Sequence, residues 1–156
     1  MLNQKSVSAV LGLAMAAGVA AAQPTVTTVL RDFDFVGGFG SVTTMAQMAV
    51  NNNGDWLIEV DTDFPDTNLD GALVRNDLSS RLREGDALLA PAGASLGSFD
   101  AVTLNNVGNS GWNFFLDGLT TSTDSGIYFN DILLIQESST TTAPQFSPGT
   151  PFIGFF

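Results

Sequence analysis

Cysteine and histidine are both absent from the chain, and its single lysine is Lys5. Without thiols there is no disulfide and no thiolate metal site, and without imidazole the zinc and haem sites that use histidine go as well. Neither a cysteine nucleophile nor a Ser-His-Asp arrangement can be assembled. Basic residues are scarce, 5 Lys plus Arg against 16 Asp plus Glu, for a formal net charge of −11. Such a surface repels nucleic acid and anionic membrane and draws cations.

Hydrophobic residues nevertheless make up 44% of the chain and charged ones only 13%, the composition of a folded protein rather than an acidic disordered tail. A chain of 156 residues suits one domain, and that size buries about 70% of the surface its unfolded form exposes.

The first 22 residues read as a signal peptide. Lys5 precedes an uncharged run from Val7 to Ala22 that ends in Ala20-Ala21-Ala22 before Gln23-Pro24. The apolar stretch is short for a bilayer span, and the small residues suit cleavage after Ala22. Export to the cell exterior or periplasm is therefore expected, with no stable membrane span after cleavage. The mature chain would keep 4 arginines against 16 carboxylates.

The body, residues 23–156, is organised around one phrase written twice. Val50-Asn51-Asn52-Asn53-Gly54-Asp55-Trp56-Leu57-Ile58-Glu59-Val60-Asp61 returns as Leu104-Asn105-Asn106-Val107-Gly108-Asn109-Ser110-Gly111-Trp112-Asn113-Phe114-Phe115-Leu116-Asp117. Asn and Gly tolerate the positive φ of tight turns, and Trp, Phe, Ile and Val suit a pleated, half-buried surface, so each copy reads as a hairpin. Asn51 to Asn105 is 54 residues, and the turn Asn76-Asp77 recurs at Asn130-Asp131 with the same offset. A period of this size with several short strands marks propeller blades or related β arrays.

The expected fold is all-β, two propeller-blade-like four-stranded antiparallel repeats covering about 42–97 and 98–150. Strands are expected at 45–50, 56–61, 72–75 and 78–83, then at 100–104, 112–117, 126–129 and 132–137. Trp56, Ile58 and Val60 share one face, aligned with Trp112, Phe114 and Leu116 in the second repeat. An Asp77–Gly85 helix is also compatible with Leu78 and Leu82 four apart, but the strand-like counterpart Ile132-Leu133-Leu134-Ile135 decides for β. Thr25–Leu30 reads as a further strand, placed before a Gly-rich connection as Arg81–Asp86 is. Propellers close with about four to eight blades, so two repeats make an incomplete one whose open edges invite self-association.

The Asn-Asn-x-Gly hairpins, the Arg83-Glu84-Gly85-Asp86 corner and the Pro-Ala-Gly or Pro-Gly connections resemble the tandem repeats of large exported bacterial proteins. That resemblance covers residues 30–156 and implies propeller-like repeats. Longer members often end in a sorting anchor, a Pro-Glu-Pro motif with an apolar helix and basic tail, which this sequence lacks. The resemblance brings no activity to any residue.

Three chemistries deserve weighing. Asp66-Thr67-Asn68-Leu69-Asp70-Gly71, ending at Asp77, matches a twelve-residue calcium loop with Asp66, Asn68, Asp70 and Asp77 as candidate ligands. Asp61 and Asp63 add charge beside it, but the twelfth residue is Asp rather than the longer Glu, and no flanking helices are evident. The aromatics, 12 Phe, 2 Trp and 1 Tyr, could stack on sugars, though Trp56 and Trp112 at equivalent positions suit blade packing better. A carboxylate-based glycan hydrolase would have to use Glu59, Glu84 or Glu137, which no spacing brings together. The expected function is a non-catalytic structural or interaction module at the cell exterior, its partner a protein or glycan, with a calcium-stabilised carbohydrate-binding module as the first alternative and a carboxylate-based glycan hydrolase as the second.

Overall fold

Tight turns set the architecture of the computed structural model, which describes residues 26–140, 145, 147 and 149–152. The expected signal segment, 1–22, lies outside them. In the first turn the Asn51 side chain accepts the backbone N–H groups of Asn53 and Asp55 through Oδ1, each at 2.9 Å. Gly54 follows at φ +83°, a left-handed conformation that glycine adopts without steric cost. Asn105 repeats this with the N–H groups of Val107 and Asn109, and Gly108 sits at φ +80°. The side-chain oxygen imitates a backbone turn, which is why Asn holds both positions.

From these turns run two antiparallel sheets, and no helix occurs among the described residues. Sheet one takes β1 (Phe35–Val36), β2 (Gly40–Val50), β3 (Trp56–Thr62), β4 (Gly71–Arg75) and β5 (Ser80–Arg83) in chain order. Sheet two takes β6 (Ser95–Leu104), β7 (Ser110–Asp117), β8 (Ser125–Phe129) and β9 (Ile132–Gln136). From β2 to β4 and from β6 to β8 the pairing register is copied residue for residue. Val42 faces Thr62 as Leu96 faces Leu116, and Ile58 faces Val74 as Trp112 faces Tyr128. Both interruptions of the β2 ladder, after Val42 and after Met45, recur in β6 after Leu96 and after Phe99.

That register corrects the alignment of the tryptophans. Trp56 pairs with Val50 and Ser110 with Leu104, so the counterpart of Trp56 is Ser110, and Trp112 answers to Ile58. The turn asparagines confirm this, since Trp56 N–H donates to Asn76 Oδ1 at 2.7 Å and Ser110 N–H to Asn130 Oδ1 at 3.0 Å. Likeness of side chain misleads here, because a strand two residues out of step keeps the same face inward.

Further differences concern element limits. β2 and β6 begin at Gly40 and Ser95, ahead of the expected 45 and 100. Their bulges disturb the alternation that marks a strand in sequence. Val26–Leu30 forms no strand, because nothing among the described residues pairs with it, yet Leu30 is buried. Leu78, at φ +59°, is one residue inserted into the β4–β5 turn relative to the tighter Asn130-Asp131 turn, so β5 and β9 correspond at an offset one shorter than the other strands.

Among the described residues one corner occurs three times, before β1, after β5 and after β9. Arg31 N–H reaches Asp34 Oδ2 at 2.9 Å, and Arg83 N–H reaches Asp86 Oδ2 at 2.8 Å. Phe33, Gly85 and Ser138 occupy its left-handed position at φ 68°, 81° and 63°. Each is followed by an antiparallel pairing, Phe35 with Ser41 and Val36 with Gly40, Ala87 with Ser95, and Thr140 with Pro151.

Two cores result. One lies on the front of sheet one, where Ile58, Val60, Ala72 and Val74 pack with Leu30, Val36, Phe39 and Val42. The other lies between the sheets, where Leu57 and Leu73 from the back of sheet one meet Trp112, Phe114 and Tyr128 on the front of sheet two. The Phe114 ring is stacked on Trp112 at 5.7 Å and meets Phe99 edge-on at 5.3 Å. Leu73 is fully buried in this layer, and each such side chain contributes about 1.5–3 kcal/mol.

Candidate functional site

The polar residues that sequence reading treated as turn formers also join one sheet to the next. Asn51 Nδ2 donates to Asn105 O at 3.0 Å, Asn52 N–H to Asn106 Oδ1 at 2.9 Å, and Asn53 Nδ2 to Asn106 O at 2.7 Å. At the other side of the seam Arg81 Nη2 lies 2.8 Å from both Asp131 oxygens, with its guanidinium 5.4 Å from the Trp112 ring centre. Arg81 holds the bulge position of β5, which turns its side chain across the seam.

Two grooves open along this seam. One of about 300 Å³ is lined by Asp55, Trp56, Arg75, Asn76, Asp77, Arg81 and Leu104, among others. The second, about 240 Å³, is lined by Arg81, Leu82, Leu88, Leu89, Trp112, Tyr128 and Asp131, among others. Their polar groups are largely engaged with one another. Asp55 Oδ2 accepts Asn51 Nδ2 at 2.9 Å, Asp131 holds Arg81, and Tyr128 Oη donates to Ala90 O at 2.7 Å. Burial pushes the Tyr128 hydroxyl up to about 12, so it stays a neutral donor.

The candidate calcium ligands fall in two places. Asp66, Asn68 and Asp70 share the β3–β4 loop, and Asp77 lies in the turn at the far end of β4. The intervening five-residue strand separates them by roughly 15–20 Å at about 3.3 Å per residue. Asp66 Oδ1 accepts Asn68 N–H at 3.1 Å, and Asp77 Oδ1 accepts Ser79 N–H at 3.0 Å, each closing its own small turn. Asp61 accepts the Thr44 hydroxyl and Asp63 the Ser41 N–H. Among the described residues no three carboxylates stand close enough to hold a metal ion.

Trp56 and Trp112 are both buried, so neither indole offers a free face to a sugar. Glu84 and Glu137 prove to be repeat equivalents. Glu84 Oε2 accepts Gly71 N–H at 2.9 Å at the start of β4, and Glu137 Oε2 accepts the Ser125 hydroxyl at 3.3 Å at the start of β8. A Cβ at position 71 would lie 2.6 Å from the Glu84 carboxyl carbon, which makes Gly71 part of this cap.

Glu59 points from the back of sheet one, and burial raises its carboxyl above the ordinary range, reinforced by the charges of Asp61, Glu84 and Asp100. Burial raises Glu84 in the same way, with Asp70, Asp61 and Asp117 adding to it. Neither residue lines the two grooves. Glu59 and Glu84 thus lie apart from these two grooves. No family model matches the chain, and no curated protein or solved structure is significantly similar to it.

Proposed function

We propose that this protein is an exported, non-catalytic structural or interaction module built from propeller-blade-like units, working at the cell exterior without a cofactor. One observation carries this reading: the conspicuous polar residues of the seam, Asn51, Asn53, Arg81 and Asp131, are spent on holding unit to unit. A side chain already satisfied by its neighbour costs free energy to redirect toward a ligand. Export rests on the first 22 residues, and the acidic balance directs the surface away from nucleic acid.

The test is a panel of polysaccharides and a glycan array applied to the purified protein. The expected outcome is no release of reducing sugar and no retained glycan. Hydrolysis would install the carboxylate-based hydrolase instead, and saturable glycan binding the carbohydrate-binding module. Sequencing the N-terminus of the protein recovered from culture medium checks export, with a start at Gln23 expected.

A further inference from the structure

Going beyond the reading of an interaction module, we propose that the larger groove of the seam is a binding site for a small zwitterion, an apolar α-amino acid. Three of the charges that line it, Asp55, Arg75 and Arg81, belong to the first unit alone. Their register counterparts in the second unit are Asn109, Phe129 and Leu134. The unit therefore folds without these charges. Burial would place them the other way round, because Arg75 and Arg81 stand on the face of sheet one that sheet two covers, whereas Phe129 and Leu134 on the back of sheet two are 39% and 59% exposed. Charge on a covered face and carbon on an open one reverses what hydration favours.

The donors and acceptors left over describe the ligand. Arg75 uses Nε, on Ser79 Oγ at 2.9 Å and Asp77 Oδ1 at 3.5 Å, and Arg81 uses Nη2, on Asp131. Both Nη groups of Arg75 and the Nη1 group of Arg81 thus have no acceptor among the described residues, and a guanidinium fork suits a carboxylate. Asp55 Oδ2 accepts Asn51 Nδ2 at 2.9 Å, whereas its Oδ1 has only Asn76 Nδ2 at 3.5 Å, which leaves an acceptor for an ammonium. Trp56, Leu57 and Leu104 line the same groove and give apolar ground for a side chain. Ser110, small where the first unit has Trp56, keeps the space open.

Charge balance narrows the class further. The lining holds two aspartates and two arginines, which cancel, within a chain of net charge −11. A simple anion is repelled by the rest of such a surface, while a molecule carrying both charges escapes that long-range penalty. At about 300 Å³ the groove stands at the lower end of ligand pockets, a fit for one amino acid rather than a longer chain.

The test is titration of the purified protein with L-leucine and with L-phenylalanine, read by tryptophan fluorescence because Trp56 lines the groove. Saturable binding is expected. N-acetyl-L-leucine keeps only the carboxylate and L-leucinamide only the ammonium, so each is expected to bind at least about tenfold more weakly than leucine. Arg75→Phe and Asp55→Asn install residues that the second unit already carries, so the fold is expected to survive, checked by far-ultraviolet circular dichroism. Each should lower leucine affinity at least about tenfold, whereas Arg31→Gln, at a corner outside the groove, should leave it unchanged. No saturation with either amino acid, derivatives that bind as well as leucine, or a folded Arg75→Phe or Asp55→Asn protein that binds as tightly as the unmodified one would each overturn the proposal. Glycan binding or hydrolysis would defeat the functional reading while leaving this site standing.

Discussion

Asn51 donates its side-chain amide to the carbonyl of Asn105, its own counterpart 54 residues along the chain. One residue therefore builds a turn with its oxygen and fastens that turn to the next unit with its nitrogen.

The first prediction separates these two tasks. Asn51→Ala removes the turn acceptor, the link between units and the bond to Asp55, whereas Asn105→Ala removes only the turn acceptor, since Asn51 uses its backbone oxygen, and Asp55→Ala measures the Asp55 share separately. Asn51 is buried, and the loss should be about 1–3 kcal/mol. Urea unfolding is expected to place Asn51→Ala about 1 kcal/mol below Asn105→Ala. Equal losses would remove the bridging role.

Arg81 offers a second test. Its side chain is 29% exposed and that of Asp131 54%, so the ion pair itself should contribute at most about 1 kcal/mol. Arg81→Lys keeps the charge but loses the planar group over Trp112, and is expected to lose nearly as much as Arg81→Ala. Full retention of stability in Arg81→Lys would reduce the contact to simple charge attraction.

The corner residues differ in a way that stability can read. Gly85 is at φ +81°, and a Cβ there would lie 2.4 Å from Leu69 Cδ2, so Gly85→Ala should cost about 1–3 kcal/mol. Phe33 holds the same left-handed position while 82% exposed. Phe33→Gly is expected to be neutral or stabilising by up to about 1 kcal/mol. A large loss at Phe33, seen as a lowered Tm, would mean that its ring supports the fold.

Stability should also depend on pH in a set direction. Glu59 and Glu84 hold protons more tightly folded than unfolded, because burial and neighbouring carboxylates disfavour their charge. The folded chain then binds the extra protons between the ordinary and the raised values, so stability falls as pH rises through that window and the penalty is fully present at neutral pH. Asp77 acts oppositely. Hydrogen bonds from Ser79 lower its proton affinity, and that contribution disappears only at more acid pH. Melting scans are expected to give a higher Tm near pH 5 than near pH 7, with Glu84→Gln flattening the slope. A Tm that falls steadily below neutrality would contradict this assignment.

Calcium provides a fifth check. With Asp77 at the opposite end of β4 from Asp66, Asn68 and Asp70, adding calcium or a chelator is expected to leave the Tm unchanged. A calcium-dependent rise that Asp70→Asn abolishes would show a cation gathered by the β3–β4 loop alone.

Much of this architecture can be read from particular residues. Asn51, Gly54, Asn105 and Gly108 announce their turns because side-chain geometry and permitted φ are local properties. The β5 strand, open to a helical reading, follows from its likeness to Ile132–Ile135. The limits of reading appear where local cues compete. Trp56 looks like the partner of Trp112, but ladder pairing answers to the turn and not to side-chain resemblance. Asp66 and Asp77 satisfy a calcium spacing that assumes a curled loop, and a straight strand lies between them.

The sequence by itself determined an all-β chain with a copied hairpin unit, because turn chemistry, strand alternation and an offset of 54 are all written within short stretches. Tertiary structure alone decided that Leu57 and Leu73 lie buried between sheets while Met48 and Leu134 stay exposed. Which face of a sheet is covered depends on what packs against it, and residues far apart in the chain settle that.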